Sequence, residues 1–177
     1  MFQRPSPFHT ASPMPPLPPT GLAPERRLRH DLTALLRGRQ AHVDAATALR
    51  GVPEGRINAR PAGAPHSLWE LVDHLRFTQA DILEFVRGPS YAEKRWSDDY
   101  WPDHDASGSE WDAAVASFLA DLDALAALAE TGDLVAELPW APGYTLLREL
   151  LLAADHNSHH LGQVVLLRRQ LGIWPGG

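Results

Sequence analysis

The sequence predicts an all-α protein that folds as a four-helix bundle. Two observations carry this prediction. Four long segments place apolar residues at the spacing of a helix face, and no segment shows a convincing alternating strand pattern. Two of the three connections between these segments are long enough for the chain to cross the bundle. A simple up-down-up-down order is therefore not required.

The composition limits the classes of function. The chain has 177 residues, which suggests one domain, and its net charge of −6 argues against a nucleic-acid-binding protein. It contains no cysteine, which excludes disulfides, thiolate ligands and a cysteine nucleophile. There is neither a long apolar run that could cross a membrane nor the apolar core of a signal peptide. We therefore expect a soluble cytoplasmic protein with no membrane partner.

The first 24 residues differ from the rest of the chain. They hold eight of the sixteen prolines. Proline fixes the backbone φ angle and removes a hydrogen-bond donor, so this stretch is predicted to be a tail or a packed arm. The helical domain is predicted over residues 25–177.

The first two helices are bounded by clear signals. The first is predicted from about Glu25 to Leu49, before the Gly and Pro residues of segment 51–66. The second follows Ser67-Leu-Trp-Glu70, which fits a capping box, and ends at Gly88-Pro89. Both segments carry an apolar stripe at helical spacing.

The connection over residues 88–108 is longer than a compact bundle needs. It carries the aromatic residues Tyr91, Trp96, Tyr100 and Trp101. A loop of this kind either has a functional role or caps the end of the bundle by anchoring its aromatic rings. The sequence leaves both interpretations open.

The last two helices follow this connection. The third is predicted from about Ser109 to Glu130, and residues 133–143 are predicted to form another loop. Thr145 is a plausible N-cap for the fourth helix, which runs to about Leu171. Gly172 suits the position after its end.

Two histidines of the fourth helix share one face. His156 and His160 are four residues apart and are flanked by apolar residues, whereas His159 points about 100° away from His160. Burying two imidazoles is costly unless each finds a partner, and one metal ion would serve both. The spacing alone is weak support for a metal site, because buried histidines are often satisfied by hydrogen bonds.

A third ligand would come from another helix. His74, at the flank of the second helix's apolar stripe, is the strongest candidate. The alternative is that His74 is a partly exposed boundary residue that binds no metal. His42 is predicted on the apolar face of the first helix, as a fourth ligand, a neighbour of the site or a satisfied core residue. His66 is predicted to lie in a loop near the bundle end.

Two motifs resemble a known family. They are Pro65-His-Ser-Leu-Trp-Glu-Leu-Val-Asp-His74 and Ala154-Asp-His156-Asn-Ser-His-His160-Leu-Gly-Gln163. With Tyr100-Trp-Pro and Thr145-Leu-Leu-Arg-Glu, they make residues 26–174 similar to the DinB/YfiT-like superfamily of metal-dependent proteins. One departure is Trp140-Ala-Pro-Gly-Tyr144, where relatives often carry His-Gly-Asp-Gly-Gln.

The resemblance implies a fold and a site. The family fold is a four-helix bundle with crossover connections, and many members are homodimers. Its metal ligands fall on His74, His156 and His160 of this chain. Some relatives transfer low-molecular-weight thiols, which would make a small thiol or an electrophile the partner here.

Three imidazoles leave a divalent ion with open coordination positions. Zinc or nickel suits these nitrogen donors best, and iron or copper is also compatible. Because no HExxH glutamate accompanies the histidine pair, a metalloprotease mechanism is disfavoured. The remaining hypotheses are a thiol S-transferase or hydrolase, and a metal-binding stress-response bundle without turnover. Side chains expected to touch a ligand or line a pocket are His42, Gln163, Trp96, Trp101 and Tyr144.

Overall fold

The computed structural model describes residues 20–38 and 40–175, so most of the proline-rich head lies outside the described residues. Helices and strands follow one another in the order α1 (Pro24–Arg37), α2 (Ala45–Leu49), α3 (Leu68–Arg87), α4 (Gly108–Thr131), β1 (Glu137–Leu138), β2 (Ala141–Thr145) and α5 (Leu146–Gln170). Short 3-10 turns occur at Glu54–Arg56 and Asp98–Tyr100. The predicted all-α class is confirmed.

The four long helices form a bundle in which chain neighbours are not always spatial neighbours. Both α1 and α3 pack mainly against α4 and α5. Consequently, α1 and α3 face each other across one diagonal. The connections before α3 and before α5 cross the bundle, which agrees with their length. This arrangement places α3 directly beside α5.

The prediction of the first helix is wrong for its second half, after residue 37. It was expected to continue to Leu49, but α1 ends at Arg37 and Gly38 adopts a φ of 76°. A Cβ atom on Gly38 would lie 3.1 Å from the Cα of Asp44. Asp44 then starts the short α2 by accepting a hydrogen bond from the backbone N–H of Thr47. A glycine stop and an aspartate cap thus interrupt the apolar periodicity.

The other helix boundaries follow the predicted signals closely. Ser67 and Glu70 make both bonds of the expected capping box at α3. Ser107 and Glu110 form an equivalent box at α4, which was not predicted. At α5, the hydroxyl of Thr145 accepts from the N–H of Arg148, as expected of an N-cap.

A small hairpin replaces part of the loop predicted over residues 133–143. Strands β1 and β2 pair antiparallel, with Glu137 opposite Thr145 and Leu138 opposite Ala141. The indole N–H of Trp140 donates to the backbone carbonyl of Phe85, 2.8 Å away. The hairpin is therefore fastened to the C-terminal end of α3.

Apolar residues from every long helix fill the core. The largest fully buried apolar side chains on these helices are Leu68, Leu71, Val72, Leu75, Phe118, Leu125, Leu150 and Val164. One polar chain crosses it. The Asn157 side-chain amide donates to Gln79 Oε1, and Gln79 Nε2 donates to the carbonyl of Phe118, each at 2.6 Å. These bonds join α5, α3 and α4 next to His156. Among the described residues, no helix is both long and apolar enough to cross a membrane.

Candidate metal centre

Three histidines converge where α3 lies against α5. His74 is on α3 and only 2% exposed, while His156 and His160 are partly buried on α5. Each offers a ring nitrogen, and these three nitrogens lie within 4.8 Å of one another. The Nε2 atoms of His74 and His156 are 3.0 Å apart. Two nitrogens that bind one ion at about 2.0–2.1 Å each are separated by a similar distance.

Hydrogen bonds on the far side of two rings assign their tautomers. His74 Nδ1 lies 2.9 Å from the backbone carbonyl of Tyr100, which can only accept. His160 Nδ1 lies 2.7 Å from Oε1 of Gln163, another acceptor. Each Nδ1 therefore donates a hydrogen bond, and each Nε2 carries no proton and keeps its lone pair. Metal-bound histidines are oriented in this way, so the donor set fits a divalent cation.

The surroundings keep these rings uncharged. Burial, reinforced by repulsion from His160 and His74, lowers the pKa of His156 to about 3. Burial likewise lowers the pKa of His160 to about 4, and it lowers the pKa of His74 despite that ring's bond to the Tyr100 carbonyl. All three imidazoles are thus neutral at pH 7, the form that binds metal ions.

Trp101 covers the site as the central ring of a stack. Its indole lies parallel to the His74 imidazole at a centroid distance of 4.0 Å, with an angle of 0° between the planes. The His66 ring stacks on Trp101 at the same distance, with an angle of 8°. The connection over residues 88–108 therefore folds onto a candidate ligand, which favours the functional interpretation of that loop.

Tyr100 attaches the same loop to α3. Its hydroxyl donates to Asp81 Oδ2 at 2.6 Å, while its backbone carbonyl accepts from His74. Burial and the neighbouring Asp81 carboxylate raise the pKa of Tyr100, so the phenol stays protonated as a donor. Asp81 lies seven residues after His74 on α3 and therefore near the same face of that helix. One tyrosine thus connects two points of α3.

Comparison with known proteins agrees with this architecture. The model of the DinB superfamily matches residues 26–164, which include all three histidines. The chain belongs to the DinB superfamily. A search of curated proteins and a search of solved structures each gave no match.

Other residues predicted for the site of this DinB-superfamily chain have different positions. His42 is wrongly predicted on a helix: it is exposed in the segment between α1 and α2, and its ring contacts the Val43 carbonyl and the Ser158 hydroxyl. Its Nε2 lies 3.2 Å from that hydroxyl. His159, in contrast, is exposed and outside the three-histidine group, as its position on the helix predicted.

Trp96 and Tyr144 also lie away from the three rings. Trp96 is 76% exposed and contacts Tyr100 edge-on. Tyr144 packs on Phe85, eleven residues beyond His74 and hence about 16 Å further along α3. Gln163 and Trp101, in contrast, directly contact candidate ligands.

Partial signals for the contacts of Tyr100, Trp101 and His66 are present in the sequence. Tyr100 and Trp101 were recognised as loop aromatics, but their stacking and hydrogen bonding follow from the path of the loop. Asp81 accepts a hydrogen bond from the Tyr100 hydroxyl, a contact that its position on the helix does not reveal. His66 precedes the cap of α3, and this position brings it onto the outer face of Trp101.

Proposed function

We propose that this protein is a metal-dependent enzyme of the thiol S-transferase or hydrolase type. His74, His156 and His160 would hold one divalent ion through their Nε2 atoms. A bound ion would lower the pKa of a water molecule or a thiol and so supply a nucleophile near neutral pH. The substrate would be a small thiol, an electrophile or both.

The number of converging ligands carries this proposal. Within the described parts of the chain, the group contains three histidines and no fourth histidine, aspartate or glutamate. Structural zinc sites usually have four protein ligands, whereas catalytic sites have three and keep a position open for water or substrate. Three neutral imidazoles therefore support a reactive centre over a purely structural one.

The donors also narrow the choice of metal. Three imidazole nitrogens suit zinc or nickel, and they are compatible with iron or copper. The hydrogen bonds from His74 to Tyr100 and from His160 to Gln163 would set the direction of two ligand bonds and increase ligand basicity.

Metal analysis tests the site. The protein, purified without a histidine tag, is expected to contain close to one metal ion per chain by mass spectrometry. The triple variant His74→Ala, His156→Ala, His160→Ala is expected to contain almost none. His159→Ala is a matched control, because that residue is an exposed histidine on the same helix. Metal that persists in the triple variant would contradict the site.

Turnover tests the reaction. The metal-loaded protein is incubated with a panel of small thiols, electrophiles and esters, and product is measured with and without a chelator. We expect product formation that depends on the metal and is lost in His160→Ala. Stoichiometric metal without turnover of any panel member would instead favour a metal-binding stress-response bundle.

A further inference from the structure

A cleft lies beside the three histidines, between the segment preceding α3 and the last turns of α5. It encloses about 200 Å³. Its apolar wall includes Ala64, Pro65, Leu71 and Leu167. Leu166 also lines the cleft and is 55% exposed, so it stands at the opening.

Two residues connect the cleft to the candidate metal centre. Gln163 lines the cleft, and its Oε1 accepts a hydrogen bond from His160 Nδ1. His66 also lines the cleft, and it stacks on Trp101, whose other face lies on His74. The cleft is thus joined to a ligand on α5 and to a ligand on α3 by separate contacts.

The polar side chains that line the cleft are one imidazole and two amides. They are His66, Gln163 and Gln170, and none of the residues that line the cleft is aspartate, glutamate, lysine or arginine. The nearby Arg60 guanidinium is occupied by the Pro65 carbonyl and the Glu70 carboxylate. An anionic ligand would therefore lose hydration here without gaining a lysine or arginine partner.

The volume limits the size of the ligand. Cavities of about 150 Å³ lined by apolar side chains bind benzene, whereas sites for drug-sized molecules occupy about 300–1,000 Å³. The cleft therefore matches one six-membered ring or a short branched chain, with polar atoms at its edge for hydrogen bonds to the glutamine amides.

We infer that this cleft binds the uncharged, mainly apolar part of the substrate, about the size of one aromatic ring, while the reacting group lies at the three histidines. The inference rests on the proposed function and specifies its substrate class. It favours small neutral thiols or electrophiles over thiols that carry several carboxylates.

The selectivity of metal-anchored thiols tests this inference. The cobalt-loaded protein is titrated with benzyl mercaptan and with mercaptosuccinate, and thiol binding is followed by the absorption of the cobalt–thiolate bond. We expect benzyl mercaptan to bind at least about tenfold more tightly, because its ring leaves water for the apolar cleft. Equal affinities, or tighter binding of mercaptosuccinate, would overturn the inference.

A variant locates the effect. Leu166→Trp places a larger ring at the opening and is expected to weaken benzyl mercaptan binding about tenfold without weakening mercaptosuccinate binding. Leu152→Trp is the matched control, since Leu152 is an exposed leucine of α5 outside the cleft. Unchanged benzyl mercaptan affinity in Leu166→Trp would contradict the assignment.

A measurement without metal separates the two proposals. Benzyl alcohol is added to the metal-free protein, and backbone amide shifts are followed by NMR. Shift changes at residues 62–66 and 163–170 that disappear in Leu166→Trp support the cleft even if the protein binds no cobalt, in which case only the proposed function fails. Absence of shift changes in these segments would overturn the cleft assignment.

Discussion

Tyr100 determines the orientation of His74 through its backbone, and Asp81 fixes Tyr100 through its side chain. The Tyr100 carbonyl accepts a hydrogen bond from His74 Nδ1, and the Tyr100 hydroxyl donates a hydrogen bond to Asp81. The first bond fixes the ring orientation and tautomer of His74, and the second holds the loop that supplies the carbonyl. Mutation of a residue that hydrogen-bonds to a metal-bound histidine typically weakens metal binding by about 10–100-fold.

Removal of the tyrosine hydroxyl should therefore weaken metal binding. Tyr100→Phe keeps the buried ring but loses the bond to Asp81, so the loop and its carbonyl are held less firmly. We expect the dissociation constant for zinc to rise by about tenfold, measured by competition with a chromophoric chelator. Asp81→Asn retains an oxygen acceptor and should bind zinc almost as the wild type does. Wild-type affinity in Tyr100→Phe would exclude this positioning role.

Sequence reasoning reached only part of this residue-level arrangement. The spacing of His156 and His160 placed both on one face of a helix, since a helical period is enough for that conclusion. His74 was selected over His42 and His66 by the family resemblance. The Tyr100 and Trp101 contacts could not be predicted, because they depend on the path of a loop of about 20 residues that has no periodicity.

At the scale of single elements, the N-terminal half of α3 positions one of the three histidines. Its N-terminus is fixed by the capping box of Ser67 and Glu70, and Ser67 is only 3% exposed. The same helix carries His74, and His66 lies one residue before its N-cap. The start of α3 therefore determines the placement of two rings of the stack on Trp101.

Loss of this cap is expected to destabilise the protein. Ser67→Ala removes the acceptor for the backbone N–H of Glu70 and should lower the free energy of unfolding by about 1 kcal/mol, measured by urea denaturation. Ser67→Thr keeps a hydroxyl acceptor and should remain within a few tenths of a kcal/mol of the wild type. If Ser67→Ala were as stable as the wild type, the cap would contribute nothing.

Helix boundaries were predicted most accurately where the capping residues and the apolar periodicity indicated the same ends. The boundaries of α3, α4 and α5 lie within one or two residues of those expected. The first helix was extended too far because its apolar spacing continues beyond Gly38, whose positive φ ends α1. The hairpin was missed because β1 has two residues and β2 contains Pro142 and Gly143, which leave no alternating pattern.

At the scale of the whole molecule, the crossing connections bring together the two helices that carry the three histidines. Because α1 and α3 face each other across the bundle, α3 lies next to both α4 and α5. The lengths of the connections permitted this topology, but only the packing of the complete chain selects it. The bundle therefore brings together two histidines that are 82 residues apart in sequence.

The burial of the site predicts how the metal-free protein responds to acid. The folded pKa values of His156 and His160, about 3 and about 4, lie below the ordinary value of 6.5. As the pH falls below about 6.5, the unfolded chain takes up protons first, so the free energy of unfolding decreases. Each of the two histidines should contribute at most about 1.4 kcal/mol per pH unit down to its folded pKa.

Denaturation of the metal-free protein in urea at several pH values checks this expectation. The double variant His156→Leu, His160→Leu removes both groups and should show a shallower pH dependence between about pH 6.5 and about pH 5. Because most carboxylates titrate below this range, they should contribute similarly to both proteins. Identical slopes for wild type and variant would show that the two histidines are not coupled to folding.

The indole of Trp101 lies between two imidazoles, at 4.0 Å from each. It belongs to a side chain that absorbs and emits in the near ultraviolet, and its fixed asymmetric surroundings make it optically active. A change in His74, in His66 or in the loop above them therefore alters the optical signal of Trp101. The candidate metal centre thus contains its own chromophore, built into the ring that covers it.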